Sequence, residues 1–576
     1  MTPDSAVNSN SRIPATVFPN IPAETEMPLT PAELRSPNAQ SGCGRKHIKA
    51  DPSAWRPEEG WTGEPKDFSV LLMTVYSVEN SGVRYLSAAL KRAGFSTTVI
   101  FLRDWVNNKL EMPSDEDIEL ACRIIRERRV NLIGLGFISS LLPIAQRLTE
   151  IFHRQFPGVP ICWGGIHATS SPDGALDYAD YLCQGEGEAP LIDLCNRLLN
   201  KKFTGDIPNI WAKLDGKIYK NELRPLIQNL DELPYPDVED DNKFYIEHGQ
   251  VRREEPWKRT AEYRIYFSRG CPYNCSYCYV SILRQKFNDK VQKFYRLRSV
   301  DHILGELNYV KSRFPRLARV KIDDDTAFAA PPAWVSEFCE KYPRTIGLPF
   351  ECMLIPPMLK YDFLSRLKKA GLVRMQTGIE SGSPEESLKM HNRTPGNDNI
   401  LEFSRFNRRL NLNVVYDLII DNPWATEEMK LETAKFMLQI ERPYDVYFYS
   451  LNFFPGTVVT KRLLEEGQIT PDDVEGRSNK AWKQFRVSMD WPRSPEDRFY
   501  LAVYCLVSKP FIPKSWIRFM LEKREWFKKH WKLPFYFAWG CNLIKMVSVA
   551  FRYLKNGELT LFKIRQYGDL RKLISQ

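Results

Sequence analysis

A chain of 576 residues, 43% hydrophobic and 26% charged, is long enough for several domains with large cores. Its formal charge of +10 is not spread out: 15 Lys and Arg against 4 Asp and Glu lie from Lys509 onward, so residues 1–508 are close to neutral. That balance speaks against a nucleic-acid-binding body and confines any basic partner surface to the C-terminal tail.

Most of the twelve cysteines, such as Cys122, Cys195, Cys339 and Cys505, stand alone in apolar stretches and read as buried thiols. The start "MTPDSAVNSNSRIP" lacks a charged segment followed by an apolar one. A reduced, cytoplasmic protein without a disulfide framework is therefore expected.

Residues 1–66 hold ten prolines among Ser, Asn and Glu and read as a disordered leader, with Cys43 a stray thiol. From 67 to 205 the pattern alternates. Strand-like "FSVLLMTVYS", "STTVIFL", "VNLIGLGFI", "VPICWGG" and "DYLCQG" are interleaved with helical "SGVRYLSAALKRAG", "DEDIELACRIIRERR" and "LLPIAQRLTEIFHRQF". Such alternation predicts an α/β domain with a parallel sheet, whose ligands bind at the carboxyl ends of the strands. Those ends read "FISSLL", "GGIHAT" and "QGEGEA", where Gly164, Gly165, Gly185 and Gly187 either let a ligand approach closely or serve as ordinary turns.

These residues resemble the cobalamin-binding domain, a flavodoxin-like fold. The resemblance implies that Ser139, Leu141, Gly164 and Gly165 cradle the nucleotide tail, with Gly185 and Gly187 at the next loop. Many such domains carry an Asp-x-His-x-x-Gly loop after the first strand; here that loop is "TVYSVENSG", without a histidine. Cobalt's lower face is then expected to lack a protein histidine, and His167 to contact the cofactor tail or cap a helix.

Residues 206–258 read as a linker. From 259 to 470, strands "YRIYFSRG", "RVKIDDDTAF", "LPFECML", "VRMQTGIES", "NVVYDLIIDNP" and "VYFYSLNFFPGT", nearly all followed by helices, predict a partial (β/α)6 barrel with its active site at the strand ends. The first strand runs into "RGCPYNCSYC", which holds Cys271, Cys275 and Cys278. A structural zinc site takes four ligands and no second Cys-x-x-Cys pair exists, whereas a [4Fe–4S] cluster on three thiolates leaves one iron open.

This spacing after a first barrel strand resembles the radical S-adenosylmethionine superfamily. The resemblance implies that the three cysteines hold a [4Fe–4S] cluster whose free iron takes S-adenosylmethionine, and that reductive cleavage releases a 5′-deoxyadenosyl radical. It places Tyr277 near the adenine, one of Asp323, Asp324 and Asp325 at the methionine amine, and Glu380 and Ser381 at the ribose and carboxylate. The three aspartates also read as a solvated turn. After strand five, "DNPWAT" departs from the Gly-Leu-Pro-Gly of many relatives and leaves the contact there, at Asp421 and Trp424, open.

Residues 471–576 read as a basic, aromatic and mostly helical region. Stretches such as "KSWIRFMLEKREWFKKHWKLPFYFAWG" suit a helical cap, a bilayer interface or, least of the three, an RNA clamp. Pro534, Gly540, Asn542 and Lys545 interrupt "LPFYFAWGCNLIKMVSVAF", which reads as interfacial or packed rather than spanning.

The combined resemblance is to cobalamin-dependent radical S-adenosylmethionine enzymes. It implies a methyltransferase acting on an unactivated carbon, driven by a low-potential donor of flavodoxin or ferredoxin type, and the composition of the tail suits a hydrophobic substrate, lipid included. Two alternatives stay open: a cyclase or ring-rearranging enzyme of the same architecture, as in the anaerobic cyclase of porphyrin esters, and a non-catalytic Fe–S binding module recruited to membrane or RNA.

Overall fold

The computed structural model describes residues 56–60, 63–104, 111–287, 293–474 and 493–542. Strands β1 (Ser69–Val75), β2 (Ser96–Leu102), β3 (Leu132–Gly136), β4 (Ile161–Gly164) and β5 (Tyr181–Cys183) pair in parallel in the order β2-β1-β3-β4-β5, the expected flavodoxin-like order. Parallel strands are covered on both faces, which is why they read as unbroken apolar runs. Helices Ser81–Arg92 and Glu188–Leu199 pack on one face, and Asp115–Glu127 and Leu142–Gln155 on the other. Asn80 and Ser114 cap two of these helices by accepting from Val83 N and Asp117 N.

The stretch 206–258 is more than a linker. Strands β6 (Ile210–Leu214) and β7 (Lys217–Tyr219) form an antiparallel hairpin beside β5, while β8 (Lys243–Glu247) and β9 (Gln250–Arg252) extend the sheet beyond β2. With three to five residues each, these strands show little periodicity in sequence. The end of the expected leader also contacts this domain, since Glu58 N donates to Asp193 and Arg197 pairs with Glu58. Residues 1–55, Cys43 included, lie outside the described residues.

The second sheet is all parallel and runs in chain order: β10 (Glu262–Ile265), β13 (Arg319–Ile322), β14 (Phe350–Met353), β15 (Leu372–Glu380), β16 (Asn413–Ile420) and β17 (Asp445–Ser450). Between β10 and β13, short strands β11 (Ser268–Arg269) and β12 (Arg296–Leu297) pair antiparallel and bracket the cysteine loop. Helix Pro332–Thr345 was not evident in the sequence, where Pro331, Pro332 and Pro343 obscure its pattern.

Alternate residues of each barrel strand face opposite ways. Tyr263, Val320, Cys352, Met375, Tyr416 and Phe448 pack under the helices, so Arg264, Lys321, Glu351, Gln376, Asp417 and Tyr449 face the interior. Helices Pro495–Val507, Lys514–Glu522 and Arg524–Lys529 join the same core through Phe499, Met520 and Phe527, with Phe535 beyond them. The described part of the tail is therefore helical and packed on the barrel core. None of the described helices is long and apolar enough to cross a membrane; residues 543–576 lie outside the described set.

Candidate cofactor site

The cysteine loop leaves β11 at Gly270, whose φ of +80° and close approach to the Phe294 carbonyl exclude a side chain. Cys271 is buried and its Sγ lies 3.2 Å from Thr326 Oγ1; Cys275 and Cys278 are half-buried on the same loop, ahead of helix Tyr279–Lys286. Burial raises all three thiols, Cys275 to about 11 and Cys278 to about 12. Among the described residues no three Cys, His, Asp or Glu side chains already stand in metal-binding geometry. Three thiols on one loop nonetheless match the donor chemistry of an iron–sulfur cluster, whose binding exchanges their protons for metal.

Two segments brace this loop. Asp324, at the end of β13, accepts from Phe267 N at 2.8 Å and from Ser268 N at 2.7 Å, and also from the Ser268 hydroxyl. The stretch after β15 accepts from Ser276 N at the His391 carbonyl (3.1 Å), and Asn392 Nδ2 donates to Asn274 O at 2.8 Å.

The three aspartates separate by role. Asp323 pairs with Lys321 at 3.0 Å and Arg264 at 3.2 Å, and Asp324 is the backbone clip. Asp325 is exposed and makes no hydrogen bond or ion pair among the described residues, while its charge is felt by Cys271 and Cys278. It is the carboxylate left open beside the cysteine loop.

At the end of β15, Glu380 adopts a φ of +61°, a strained conformation for a side-chain-bearing residue. Its Oε1 accepts from Tyr277 OH at 3.2 Å and pairs with Arg393, which also donates to Tyr277 OH at 3.1 Å. A Cβ at Gly378 would stand 2.1 Å from Glu380 Oε1, so glycine there makes room for this triad. Arg393 carried no signal in the sequence. Ser381 is committed elsewhere: its Oγ donates to Glu386 at 2.6 Å, deep in the protein.

Residues expected at the cobalamin cradle lie at the ends of β3, β4 and β5. Nothing stands within 4 Å of a Cβ built on Gly164, and Gly165, with φ +90°, lies 3.0 Å by the same measure from the Phe137 carbonyl. Ser140 Oγ and Gln184 Nε2, both buried at these strand ends, have no partner among the described residues. Open space with orphaned polar atoms fits a large polar ligand. His167 is buried, stacks on Phe137 at 5.3 Å and meets Ser139 Oγ through Nδ1 at 3.0 Å; burial lowers it to about 4. It holds Ser139 in place, while Leu141 lies in the core beneath. Gly185 and Gly187 do not border open space: added Cβ atoms would meet Phe287 at 2.7 Å and Leu86 at 3.3 Å.

The loop between those two glycines supplies a link that the sequence did not reveal. Glu186 accepts from Arg269 at 3.1 Å and Arg296 at 2.8 Å, and Arg269 also pairs with Glu188 at 2.5 Å. In the loop after β1, Glu79 pairs with Arg264 of the barrel at 2.8 Å. Near the end of β17, a Cβ on Gly456 would lie 3.4 Å from Ile282 and 3.7 Å from the Ser170 carbonyl. Strand ends of the first domain, the helix after the cysteines and the last barrel strand thus meet at one mouth.

Residues 265–437 match the radical SAM superfamily and residues 70–194 the B12 binding domain. The chain is 23% identical over 343 residues to an uncharacterized methyltransferase of Pyrococcus horikoshii, covering 58% of this chain and 70% of the relative. It is 26% identical over 314 residues to the anaerobic magnesium-protoporphyrin IX monomethyl ester cyclase of Rubrivivax gelatinosus, covering 52% of this chain and 51% of that relative. Among solved structures, the cobalamin-dependent S-adenosylmethionine radical enzyme OxsB, with aqua-cobalamin and S-adenosylmethionine bound, shares the fold at a TM-score of 0.59 and 15% identity, covering 88% of this chain and 83% of OxsB.

Proposed function

Because this chain belongs to the radical SAM superfamily and carries a B12 binding domain ahead of its barrel, we propose that it transfers a methyl group to an unactivated carbon, with Cys271, Cys275 and Cys278 holding the [4Fe–4S] cluster. The observation that carries this reading is the shared mouth: the Gly164 and Gly165 cradle and the cysteine loop belong to segments joined by Arg269, Glu186 and Glu188. When bound, the cluster supplies the electron that splits the sulfonium of S-adenosylmethionine, and the corrinoid supplies the methyl group.

The chain's own residues then position the reactants. Asp325 offers a free carboxylate to the methionine ammonium. Glu380, set by Tyr277 and Arg393, takes the ribose hydroxyls, and Arg393 offers a cation to the methionine carboxylate in place of the committed Ser381. Ser140, Gln184 and the bare backbone of Gly164 face the corrinoid side, and the closed domain contact keeps water from a radical.

The test is reconstitution with reductant and S-adenosylmethionine deuterated at its methyl group. Methyl transfer requires both S-adenosylhomocysteine, from loading the corrinoid, and 5′-deoxyadenosine. The similarity to the porphyrin ester cyclase favours a second reading, ring formation, for which 5′-deoxyadenosine without S-adenosylhomocysteine is the mark.

A peripheral contact with anionic lipid is supported by exposed Phe519, Trp526, Leu533, Tyr536 and Phe537 beside exposed Arg518, Lys523, Lys529 and Lys532. Co-sedimentation with phosphatidylglycerol vesicles, lost in Trp526→Ala/Tyr536→Ala, tests it. These residues lie on exposed faces of the C-terminal helices, however, and the barrel interior is lined by charged side chains. Those charges favour a polar substrate over the lipid expected from the tail's composition.

A further inference from the structure

Three carboxylates facing the barrel interior have cationic partners among the described residues. Asp323 has Lys321 and Arg264, Glu351 has Arg374 at 3.2 Å, and Glu380 has Arg393. Asp417, in the middle of β16 and 6% exposed, differs: among the described residues it is hydrogen-bonded by a neutral amide alone, Gln376 Nε2 reaching its two oxygens at 2.9 and 2.8 Å. The same amide donates to Tyr449 OH at 3.2 Å. Arg374 and Arg393 are close enough to act on Asp417 electrostatically but are engaged with Glu351 and Glu380. Asp417 lies opposite Gly378 in the sheet register, below Glu380 and therefore below the mouth where the nucleoside is held.

A buried carboxyl without a counter-ion is costly when ionised. Burial, with Glu380 nearby, accordingly pushes Asp417 well above the usual carboxylate range. An incoming ammonium reverses that balance, because a paired and hydrogen-bonded carboxylate is stable where a lone one is not. A hydroxyl would gain only a neutral hydrogen bond.

We propose that Asp417, with Gln376 and Tyr449, forms the subsite for a protonated nitrogen on the substrate, so that the methyl acceptor is an amine-bearing, cationic molecule. This inference deepens the methyl-transfer reading and rests on it.

The experiment uses the reconstituted full chain and two probes of matched shape, 4-phenylbutylamine hydrochloride and 4-phenylbutanol, with binding measured by calorimetry in the presence of S-adenosylmethionine. The amine should bind the wild type at least about tenfold more tightly than the alcohol. Asp417→Asn should abolish the difference, and Tyr449→Phe should keep it. Equal binding of the two probes, binding of neither, or a preference that survives in Asp417→Asn would overturn the proposal. Nucleoside products, measured separately, test the reading beneath it: an amine preference without S-adenosylhomocysteine keeps the subsite and removes methyl transfer, whereas both nucleosides without an amine preference do the reverse.

Discussion

Arg269, two residues before the first cysteine of the loop, reaches out of the barrel to Glu186 of the first domain, 3.1 Å away. Burial pushes the Glu186 carboxyl up, but Arg296 and Arg269 beside it hold it below the usual range. The root of the cysteine loop is therefore anchored in the domain that matches the B12 binding domain. Glu186→Gln should weaken this joint by about 1.5–3 kcal/mol, as for a lost hydrogen bond to a charged group. Urea unfolding should show a lower midpoint, and corrinoid retention on a desalting column should fall while the cysteines still assemble iron.

The cysteines make the sharpest prediction. Replacing any one of Cys271, Cys275 or Cys278 with Ala should remove the iron–sulfur absorbance and reduce 5′-deoxyadenosine to background, with circular dichroism unchanged. Cys122→Ala and Cys339→Ala, away from the loop, should keep both. Iron retained in all three single variants would require another ligand set.

Asp325→Asn should raise the Kd for S-adenosylmethionine by roughly tenfold, the loss of one exposed charge-assisted bond. Asp323→Asn should affect binding less, because Asp323 is already paired with Lys321 and Arg264. Titration of the reconstituted protein, followed by electron paramagnetic resonance, separates the two.

Acid should loosen the first domain. Burial lowers His167 to about 4, below the value of about 6.5 for an unfolded histidine, so between these values the unfolded chain binds more protons. Stability carried by neutral His167 is present above that window and lost as pH falls through it. Urea midpoints should decline from pH 7 to pH 5, and the decline should be shallower in His167→Gln.

Arg493 and Asp421, both nearly buried, pair at 2.8 Å and tie the C-terminal helices to the end of β16. Removing one partner of a buried pair costs about 3–5 kcal/mol. Arg493→Ala should therefore open helix Pro495–Val507 to protease before the barrel itself unfolds.

Much of this architecture was legible because chemistry and backbone demands coincide at strand ends. Cys271, Cys275, Cys278, Gly164 and Gly165 are each marked by residue type and spacing. Ion pairs between domains have no such mark: Arg269 and Glu186 are ordinary charges until the fold brings them together across 83 positions. Strands β6 to β9 were too short to show a period, and the bond from Ser381, expected at S-adenosylmethionine, to Glu386 had no mark either. Asp417 did carry a signal, a lone carboxylate in the apolar strand "NVVYDLII", which marks an inward-facing position of a sheet covered on its other face.

The central claim is that one mouth serves two cofactors. The most direct measurement is anaerobic reconstitution of the full chain with iron, sulfide and hydroxocobalamin, followed by absorption spectroscopy, metal analysis and nucleoside quantification under a low-potential reductant. Bound corrinoid, about four irons per chain and both 5′-deoxyadenosine and S-adenosylhomocysteine are the predicted result. Iron and 5′-deoxyadenosine with no corrinoid retained would contradict the claim, leaving the Gly164 cradle without a ligand and the barrel as the sole catalytic unit.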